Sequence, residues 1–560
     1  MADAEVPSRS AGVSRDRLAA GTPTHWALLA VILTVAAALR VVHIGDQGLW
    51  GDEGLTLSLA HWPVWDMLLL PTDPTPPLYY ALHKLFLTAD ASAATVRSIS
   101  LVSGMASVLL IYALGRLAYG DRAGLLAAAL LAVWPQHVDY SQEARAYALL
   151  FLLTLASATS LLWWWRLADA NKPGTAARRY FALLLFSLST ALSFYTHLTA
   201  VFWIALAIDI LRTLAASCKP RLNREAWLSI GLMAILAIPG LIRFYRQFTT
   251  PTNFNWLQQA SPAEFLSSSL QVLLPVSTPF GPMFKNTTIA LMTASLIGGL
   301  LVWRAWRWRR AGSPRPKDKA RAAIVAAFLA LPLLVWLAGF LTLPIFMERT
   351  ILYAVPGSIL LFIALLQRVK RPRLAQGLSG AALCALLGAT AVQGTMRPKE
   401  DWGGAYAFLE DQVRAGDTIF FCAWQYPSLR HSATRPLPAP LINWYTGTPI
   451  LLEEPFGTRP DWDWTFYRFY LGPGSNRLRD LPLQLQRRTL KEGARIWLME
   501  SECSPEAKAE ISASLPKSLQ FQHAWTSPSR PASDIKVSLA KAEPGTELNF
   551  YSPADQQRGR

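Results

Sequence analysis

Charged residues are scarce in this 560-residue chain. Asp, Glu, Lys and Arg make up 16% of it, whereas soluble domains contain about 25%. The four cysteines are spread along the chain, which excludes a disulfide-rich scaffold. The sequence has no phosphate-binding P-loop, no dinucleotide-binding glycine fingerprint and no HExxH zinc motif. ATP or nicotinamide chemistry is therefore not indicated, and the energy for any reaction must arrive with its substrate.

Apolar residues take the place of the missing charges. The sequence is 52% hydrophobic and contains 22 tryptophans. A membrane-spanning helix needs about 20 predominantly apolar residues. Eleven stretches fit this criterion, near residues 26–44, 95–115, 123–138, 147–165, 181–196, 198–214, 226–243, 287–303, 323–343, 351–367 and 375–395. The chain is therefore predicted to be an α-helical polytopic membrane protein with about 11 transmembrane helices.

Basic residues between these stretches are distributed unevenly. A net charge of +16 would indicate nucleic-acid binding in a soluble protein, but here the basic clusters alternate with apolar stretches. The loops on one side hold 25 Lys and Arg residues, and the other side holds at most eight. The positive-inside rule then predicts a multi-pass protein of the cell (inner) membrane with a cytoplasmic N-terminus. Its environment is membrane lipid, and nucleic acid is not an expected partner.

Composition divides the chain into three predicted parts. Residues 1–25 are polar and are expected to form a disordered cytoplasmic tail. Residues 26–395 contain the spans and form the transmembrane part. Residues 396–560 are less apolar, and eleven spans place them outside the cytoplasm.

The last part is predicted to be a soluble α/β domain with a parallel or mixed sheet. Two strand-like runs and two helical segments support this prediction, at residues 417–422, 494–499, 402–414 and 505–514. Cys422 and Cys503 both fall in this domain and could pair, which the sequence leaves open.

Two adjacent carboxylates, Asp52 and Glu53, follow the first apolar stretch. A charged side chain at the centre of a membrane helix costs about 2.5–3.5 kcal/mol on insertion scales, and a group just beyond the span avoids most of this cost. An acid at this position can act on a lipid-linked substrate. The structural alternative is that Asp52 caps a helix and that Glu53 is an acid in the first turn of that helix.

A second polar group lies between the third and fourth stretches, in residues 141–147. Ser141 is expected to cap the fourth span, which places Glu143 in its first turn and Tyr147 nearby. Arg145 supplies positive charge for a phosphate. The structural alternative is an Arg–Glu pair that ties two loops together.

Three further polar residues lie at the outer ends of spans. A histidine at an interface, such as His197, is usually structural, but it remains a candidate for substrate binding. Arg349 opens the tenth span on the side where basic residues are uncommon, which favours a phosphate contact. Arg40 is interpreted as a side chain that extends from the first span to the interface.

In this order, the segments resemble membrane glycosyltransferases of the GT-C class. The group is called family 39 or dolichyl-phosphate-mannose-protein mannosyltransferase, and protein O-mannosyltransferases and lipid A aminoarabinose transferases are related to it. The resemblance covers residues 30–400. It rests on Leu39-Arg40, Trp50-Gly51-Asp52-Glu53, Asp73 with Pro76-Pro77-Leu78-Tyr79-Tyr80, Gly115-Arg116 with Tyr119-Gly120, Pro135 through Tyr147, Thr196-His197 and Glu348-Arg349.

The resemblance implies roles for residues of the first loop, which follows the first apolar stretch and comprises residues 45–94. Asp52 would be the catalytic base and Glu53 its neighbour in the family's acidic motif, while Asp73 is a candidate for substrate binding. Relatives often carry a histidine directly before the paired prolines, where this chain has Thr75. No cofactor is required, and a divalent metal is left open without being indicated.

The expected function is that of an inverting glycosyltransferase. A sugar on a polyprenyl phosphate has a phosphate leaving group, which needs cationic stabilisation rather than a general acid. One carboxylate can deprotonate the acceptor hydroxyl, and direct displacement inverts the anomeric centre. The sugar, hexosyl or pentosyl, and the acceptor, a lipid, a glycan or a protein, stay open.

The alternative function is a transporter or flippase for a polyprenyl-linked lipid or glycan. Transporters tend to place charge near the bilayer midplane, within inverted repeats. Here the polar residues lie at the ends of spans, and the sequence shows no such repeat, so the transferase is favoured.

Overall fold

The computed structural model describes residues 22–69, 75–85, 91–170, 173–216, 220–249, 258–275, 316–342, 344–396, 400–422, 437, 441–443, 487–489, 495–501, 521–526, 535–541 and 547–549. Five predictions fall wholly or mostly outside these residues. They concern the tail of residues 1–25, Asp73, the span near 287–303, the helical segment near 505–514 and the pairing of Cys503.

Helices account for most of the described chain. In order, α1 to α8 are Pro23–Val41, Gly51–Ala60, Val64–Leu69, Leu78–Lys84, Ala93–Tyr119, Asp121–Ala132, Pro135–Ser141 and Tyr147–Ala170. The next five, α9 to α13, are Ala176–Phe194, Ala200–Ala216, Pro220–Thr249, Pro262–Leu273 and Pro316–Leu341. A 3-10 helix, Glu348–Ala354, precedes α14 to α16, which are Val355–Leu366, Pro372–Met396 and Trp402–Gln412.

Seven candidate membrane spans occur among the described helices, judged by length and hydropathy. They are Pro23–Val41, Ala93–Tyr119, Tyr147–Ala170, Pro220–Arg246, Lys319–Leu341, Glu348–Leu366 and Pro372–Gln393. The predicted class of polytopic helical membrane protein is confirmed. The count of eleven spans stays a prediction.

Capping residues in the sequence set several helix ends. The Thr22 side chain accepts a hydrogen bond from the His25 amide at the start of α1, and Ser92 does the same for Thr95 in α5. These bonds satisfy donors that the first turn of a helix leaves without a partner. Gly120 has a φ of 97°, which suits glycine and ends α5 directly before α6.

Helices α1 to α15 are called the bundle. Arg40 is fully buried inside this bundle, so the interpretation that its side chain extends to the interface is wrong. Its guanidinium donates to the carbonyls of Leu131 at 3.1 Å and Ala132 at 2.9 Å, at the end of α6. It also contacts His137 Nδ1 at 2.8 Å and Ser141 Oγ at 3.3 Å. Because α6 ends after 12 residues, its last carbonyls need donors, and Arg40 supplies them.

Ser141 does not cap the fourth predicted span. It is the last residue of α7, where its hydroxyl donates to the His137 carbonyl at 2.5 Å. The next helix, α8, begins only at Tyr147. The chain breaks between α7 and α8, which leaves Glu143 and Arg145 in a connecting segment rather than in a first turn.

The close approach of α5 to α7 gives a testable expectation. A Cβ at Gly104 would lie 2.7 Å from Ser141 Cβ, so rotation of the hydroxyl would not relieve the clash. We expect Gly104→Ala to destabilise the protein by about 1–3 kcal/mol, read as a lower thermal midpoint in detergent. Gly377→Ala is the control, since a Cβ there meets nothing within 4 Å. Equal thermal midpoints for the two variants would contradict the close approach of α5 to α7 at Gly104.

The region after the last helix of the bundle contains a mixed sheet, as predicted. The strands β1 to β7 are Thr418–Cys422, Leu441–Asn443, Arg487–Thr489, Arg495–Glu500, Gln522–Thr526, Lys536–Lys541 and Glu547–Asn549. Five form one sheet in the order β2-β1-β4-β6-β5, in which β1 pairs in parallel with β2 and β4, and β6 pairs antiparallel with β4 and β5. The helix α16 packs Trp402, Tyr406 and Leu409 onto this sheet.

Candidate functional site

Asp52 lies in the first turn of α2, where loops from one end of the bundle converge. Its carboxylate Oδ2 is 3.2 Å from Arg349 Nη1 and 3.8 Å from Arg145 Nε. The Asp52 side chain is 15% exposed and that of Arg349 is 21% exposed, so both groups remain accessible to a small polar group. Asp52 is not the N-cap, which is Trp50, so the capping part of the structural alternative is wrong.

Glu53 has an entirely different environment, although it is the next residue. Its side chain is fully buried and forms an ion pair of 2.6 Å with Arg97, which is 2% exposed. A carboxylate oxygen of Glu53 also accepts the amide hydrogen of Ala144 at 2.8 Å. Arg97 in turn donates to the carbonyls of Ile44, Gln47 and Gly48. Glu53 therefore joins α2 to the segment between α7 and α8, and it cannot reach a substrate in this structure.

Arg145 connects Asp52 to the first loop. Its guanidinium donates to Thr75 Oγ1 at 3.3 Å and Tyr80 Oη at 3.3 Å, and to the Asp52 carbonyl at 3.4 Å. Arg145 also forms an ion pair with Asp52, which ties the segment between α7 and α8 to the start of α2. Glu143 is 7% exposed in the same connecting segment.

Aromatic rings form the neighbouring wall of the site. The Arg349 guanidinium lies 6.0 Å from the centre of the Tyr147 ring, within the range of a cation–π contact. The Tyr147 ring is 5.7 Å from His197, which lies in the turn between α9 and α10. These contacts bring three of the predicted site residues together from segments far apart in the sequence.

His197 is held as a neutral imidazole. Burial, together with the positive charges of Arg145 and Arg349, lowers the pKa of His197 to about 3. Its Nδ1 accepts the backbone amide hydrogen of Thr199 at 3.2 Å, so the ring hydrogen is on Nε2. His197 can thus donate a hydrogen bond at neutral pH, but it supplies no charge to a phosphate.

The structure therefore unites most of the residues predicted from the sequence. Asp52, Arg145 and Arg349 are in direct contact, Tyr147 and His197 adjoin them, and Glu53 and Glu143 are buried behind them. The sequence interpretation missed the role of Arg97, although a basic residue at the poorly basic end of a span was a usable signal.

No group of three or more His, Cys, Asp or Glu side chains in the described residues is placed to hold a metal ion. Asp73 is outside those residues. Thr75 accepts a hydrogen bond from Arg145 at 3.3 Å. Metal dependence of this site stays an open prediction.

The fold and site define a multi-pass helical membrane protein with a carboxylate between two guanidinium groups. A family profile, described as dolichyl-phosphate-mannose-protein mannosyltransferase, matches residues 74–242. That segment includes Arg145, Tyr147 and His197. The resemblance to the dolichyl-phosphate-mannose-protein mannosyltransferase group is thereby confirmed over this segment. No curated protein sequence matches the chain.

Several solved structures are similar to this chain at low sequence identity. ArnT from Cupriavidus metallidurans bound to undecaprenyl phosphate has a TM-score of 0.48 and 13% identity, covering 92% of this chain and 98% of ArnT. The apo oligosaccharyltransferase of Archaeoglobus fulgidus has a TM-score of 0.47 and 13% identity, with coverage of 85% and 69%. The S. cerevisiae Pmt1-Pmt2 complex bound to the sugar donor has a TM-score of 0.32 and 17% identity, with coverage of 45% and 36%. TM-scores below 0.5 do not assign a function.

Proposed function

We propose that this protein is an inverting glycosyltransferase that moves a sugar from a polyprenyl phosphate to an acceptor hydroxyl. The observation that carries the proposal is the accessible carboxylate of Asp52, 3.2 Å from Arg349 and 3.8 Å from Arg145. The site thus holds a base and two cations within one small volume. The family match supports a lipid-phosphate donor, since dolichyl phosphate is itself a polyprenyl phosphate.

In the proposed reaction Asp52 acts as the general base. It takes the proton of the acceptor hydroxyl while that oxygen attacks the anomeric carbon of the sugar. The bond from that carbon to the phosphate oxygen breaks, and its electron pair leaves with the lipid phosphate. This displacement inverts the anomeric centre and requires no acid, because phosphate is a stable leaving group.

The two arginines are proposed to stabilise the leaving phosphate. A guanidinium carries five N–H donors in a planar fork, so it can bind a phosphate without releasing every contact to a carboxylate. Arg349 belongs to the 3-10 helix and Arg145 to the segment between α7 and α8, so they reach Asp52 from different elements. Their ion pairs also hold the Asp52 carboxylate in one orientation before a substrate arrives.

Arg349→Ala tests the phosphate contact. We expect donor affinity to fall by about tenfold or more, because a hydrogen bond to a charged group contributes roughly 1.5–3 kcal/mol. Affinity for the acceptor should change less. Titration of purified protein with a polyprenyl phosphate measures this, with Arg246→Ala as a control at an exposed arginine on α11. Unchanged affinity in a folded Arg349→Ala protein would remove Arg349 from the donor site.

The function itself is tested by transfer of a radiolabelled sugar. Membranes with and without the protein are supplied with several polyprenyl-phosphate sugars, and labelled lipids, glycans and proteins are separated. Label that moves from donor to acceptor supports the transferase. Movement of intact donor across the membrane without chemical transfer would refute it in favour of the flippase alternative.

We propose that the site faces the outside of the cell (inner) membrane, in keeping with the bias of basic residues toward the opposite loops. The N-terminus would then be cytoplasmic and the C-terminal sheet extracytoplasmic. A reporter enzyme fused to the C-terminus should be active only outside the cytoplasm. Activity of that fusion inside the cytoplasm would reverse the orientation.

A further inference from the structure

Glu400 lies between α15 and α16, and it contacts the start of α2. Its Oε2 accepts the backbone amide hydrogen of Gly51 at 3.2 Å. Gly51 is the first residue of α2 and precedes Asp52. Glu400 is 3% exposed, so this contact is shielded from water.

The contact is favourable because of where it lies on α2. The first amides of a helix have no acceptor within the helix, and Glu400 supplies one for Gly51. The helix dipole also favours a negative charge at this end. A buried carboxylate at the first turn therefore stabilises both the position of α2 and the direction in which Asp52 leaves it.

The same carboxylate is tied to the sheet region. The indole N–H of Trp402 donates to Glu400 Oε2 at 2.6 Å. Trp402 is fully buried and packs in one cluster with Ile419, Trp497 and Met499 of the central strands. A continuous series of contacts thus runs from the core of the C-terminal sheet through Glu400 to the residue before Asp52.

We infer that Glu400 is a positioning residue for transfer, through which the C-terminal sheet region orients Asp52. This inference rests on the proposed function for its kinetic consequences, but the contact itself can be tested without activity. Loss of Glu400 frees the start of α2, so the Asp52 carboxylate is no longer held where an acceptor hydroxyl must meet it.

The kinetic test compares Glu400→Ala, Glu400→Gln and Asp401→Ala in the full-length protein. Glu400→Ala should lower kcat by about 10- to 100-fold with little change in the KM for the donor, because Asp52 is displaced while the arginines remain. Glu400→Gln should restore most of kcat, since the amide oxygen can still accept the Gly51 hydrogen. Asp401→Ala is the matched control, because the Asp401 carboxylate caps α16 through Gly404 at 2.8 Å.

The structural test is hydrogen exchange of the peptide that begins α2, in the same purified proteins without substrate. Glu400→Ala should speed exchange at residues 50–54, and Asp401→Ala should leave it unchanged. Faster exchange with lower kcat supports the inference. Unchanged exchange, or a kcat loss in Asp401→Ala equal to that in Glu400→Ala, would overturn it. If the wild-type protein transfers no sugar but exchange responds to Glu400, the proposed function fails while the contact is upheld.

Discussion

Asp52→Asn is expected to reduce transfer by about 10²–10⁴-fold, the usual cost of losing a general base. Asparagine keeps the size of the side chain but cannot take the proton of an acceptor hydroxyl. Donor affinity should survive, or increase, because removal of the carboxylate leaves Arg349 and Arg145 to the phosphate. Turnover and donor affinity of the purified variant measure the two effects separately.

The structural alternative predicts the opposite result for the same variant. If Asp52 only stabilises the first turn of α2 through its charge, asparagine should cost about 1 kcal/mol of stability or less, and turnover should stay close to wild type. Near-normal turnover in Asp52→Asn would therefore exclude Asp52 as the base, since the reaction would proceed without its carboxylate.

Glu53→Gln should cause a large loss of stability rather than a specific loss of chemistry. Arg97 is 2% exposed and would be left as a buried charge without its carboxylate. Removal of one partner of a buried ion pair typically costs about 3–5 kcal/mol. The thermal midpoint in detergent should fall well below that of Asp52→Asn, which keeps this pair intact.

A double variant separates the contribution of the Glu53–Arg97 ion pair to stability from the contributions of the two individual residues. Glu53→Gln with Arg97→Gln removes both charges, so it should be more stable than either single variant. If the double variant is no more stable than Glu53→Gln, the ion pair is not what holds α2. A stable Glu53→Gln protein that lacks only turnover would instead return Glu53 to the catalytic candidates.

The different surroundings of Asp52 and Glu53 correct how the acidic pair is interpreted from the sequence. Adjacent residues on a helix point in directions about 100° apart, so one turn can place one carboxylate in the site and bury the next. The sequence located both acids at the end of a span, but it did not show which would face Arg97. The burial of Glu53 depends on its contacts with Arg97 of α5 and with Ala144 in the segment after α7. These two residues lie 44 and 91 residues from Glu53 in the sequence.

Arg40 shows a second limit of sequence interpretation. An arginine near the end of a span normally extends to the interface, because its charge is costly in hydrocarbon. Here α6 ends within the bundle, and its last carbonyls provide the acceptors that make burial favourable. A hydropathy pattern shows one apolar stretch over residues 123–138, and only the folded chain shows that it is divided into α6 and α7.

The sequence by itself determined the features that depend on local composition. Apolar length indicated a polytopic helical membrane protein, alternating charge gave an expected orientation, and the order of polar motifs indicated the family whose profile matches residues 74–242. The tertiary structure decided which of those polar groups meet. Asp52 contacts Arg349 across 297 residues, and Gly51 contacts Glu400 across 349. Such contacts are set by how helices pack against one another, which local patterns of polarity do not specify.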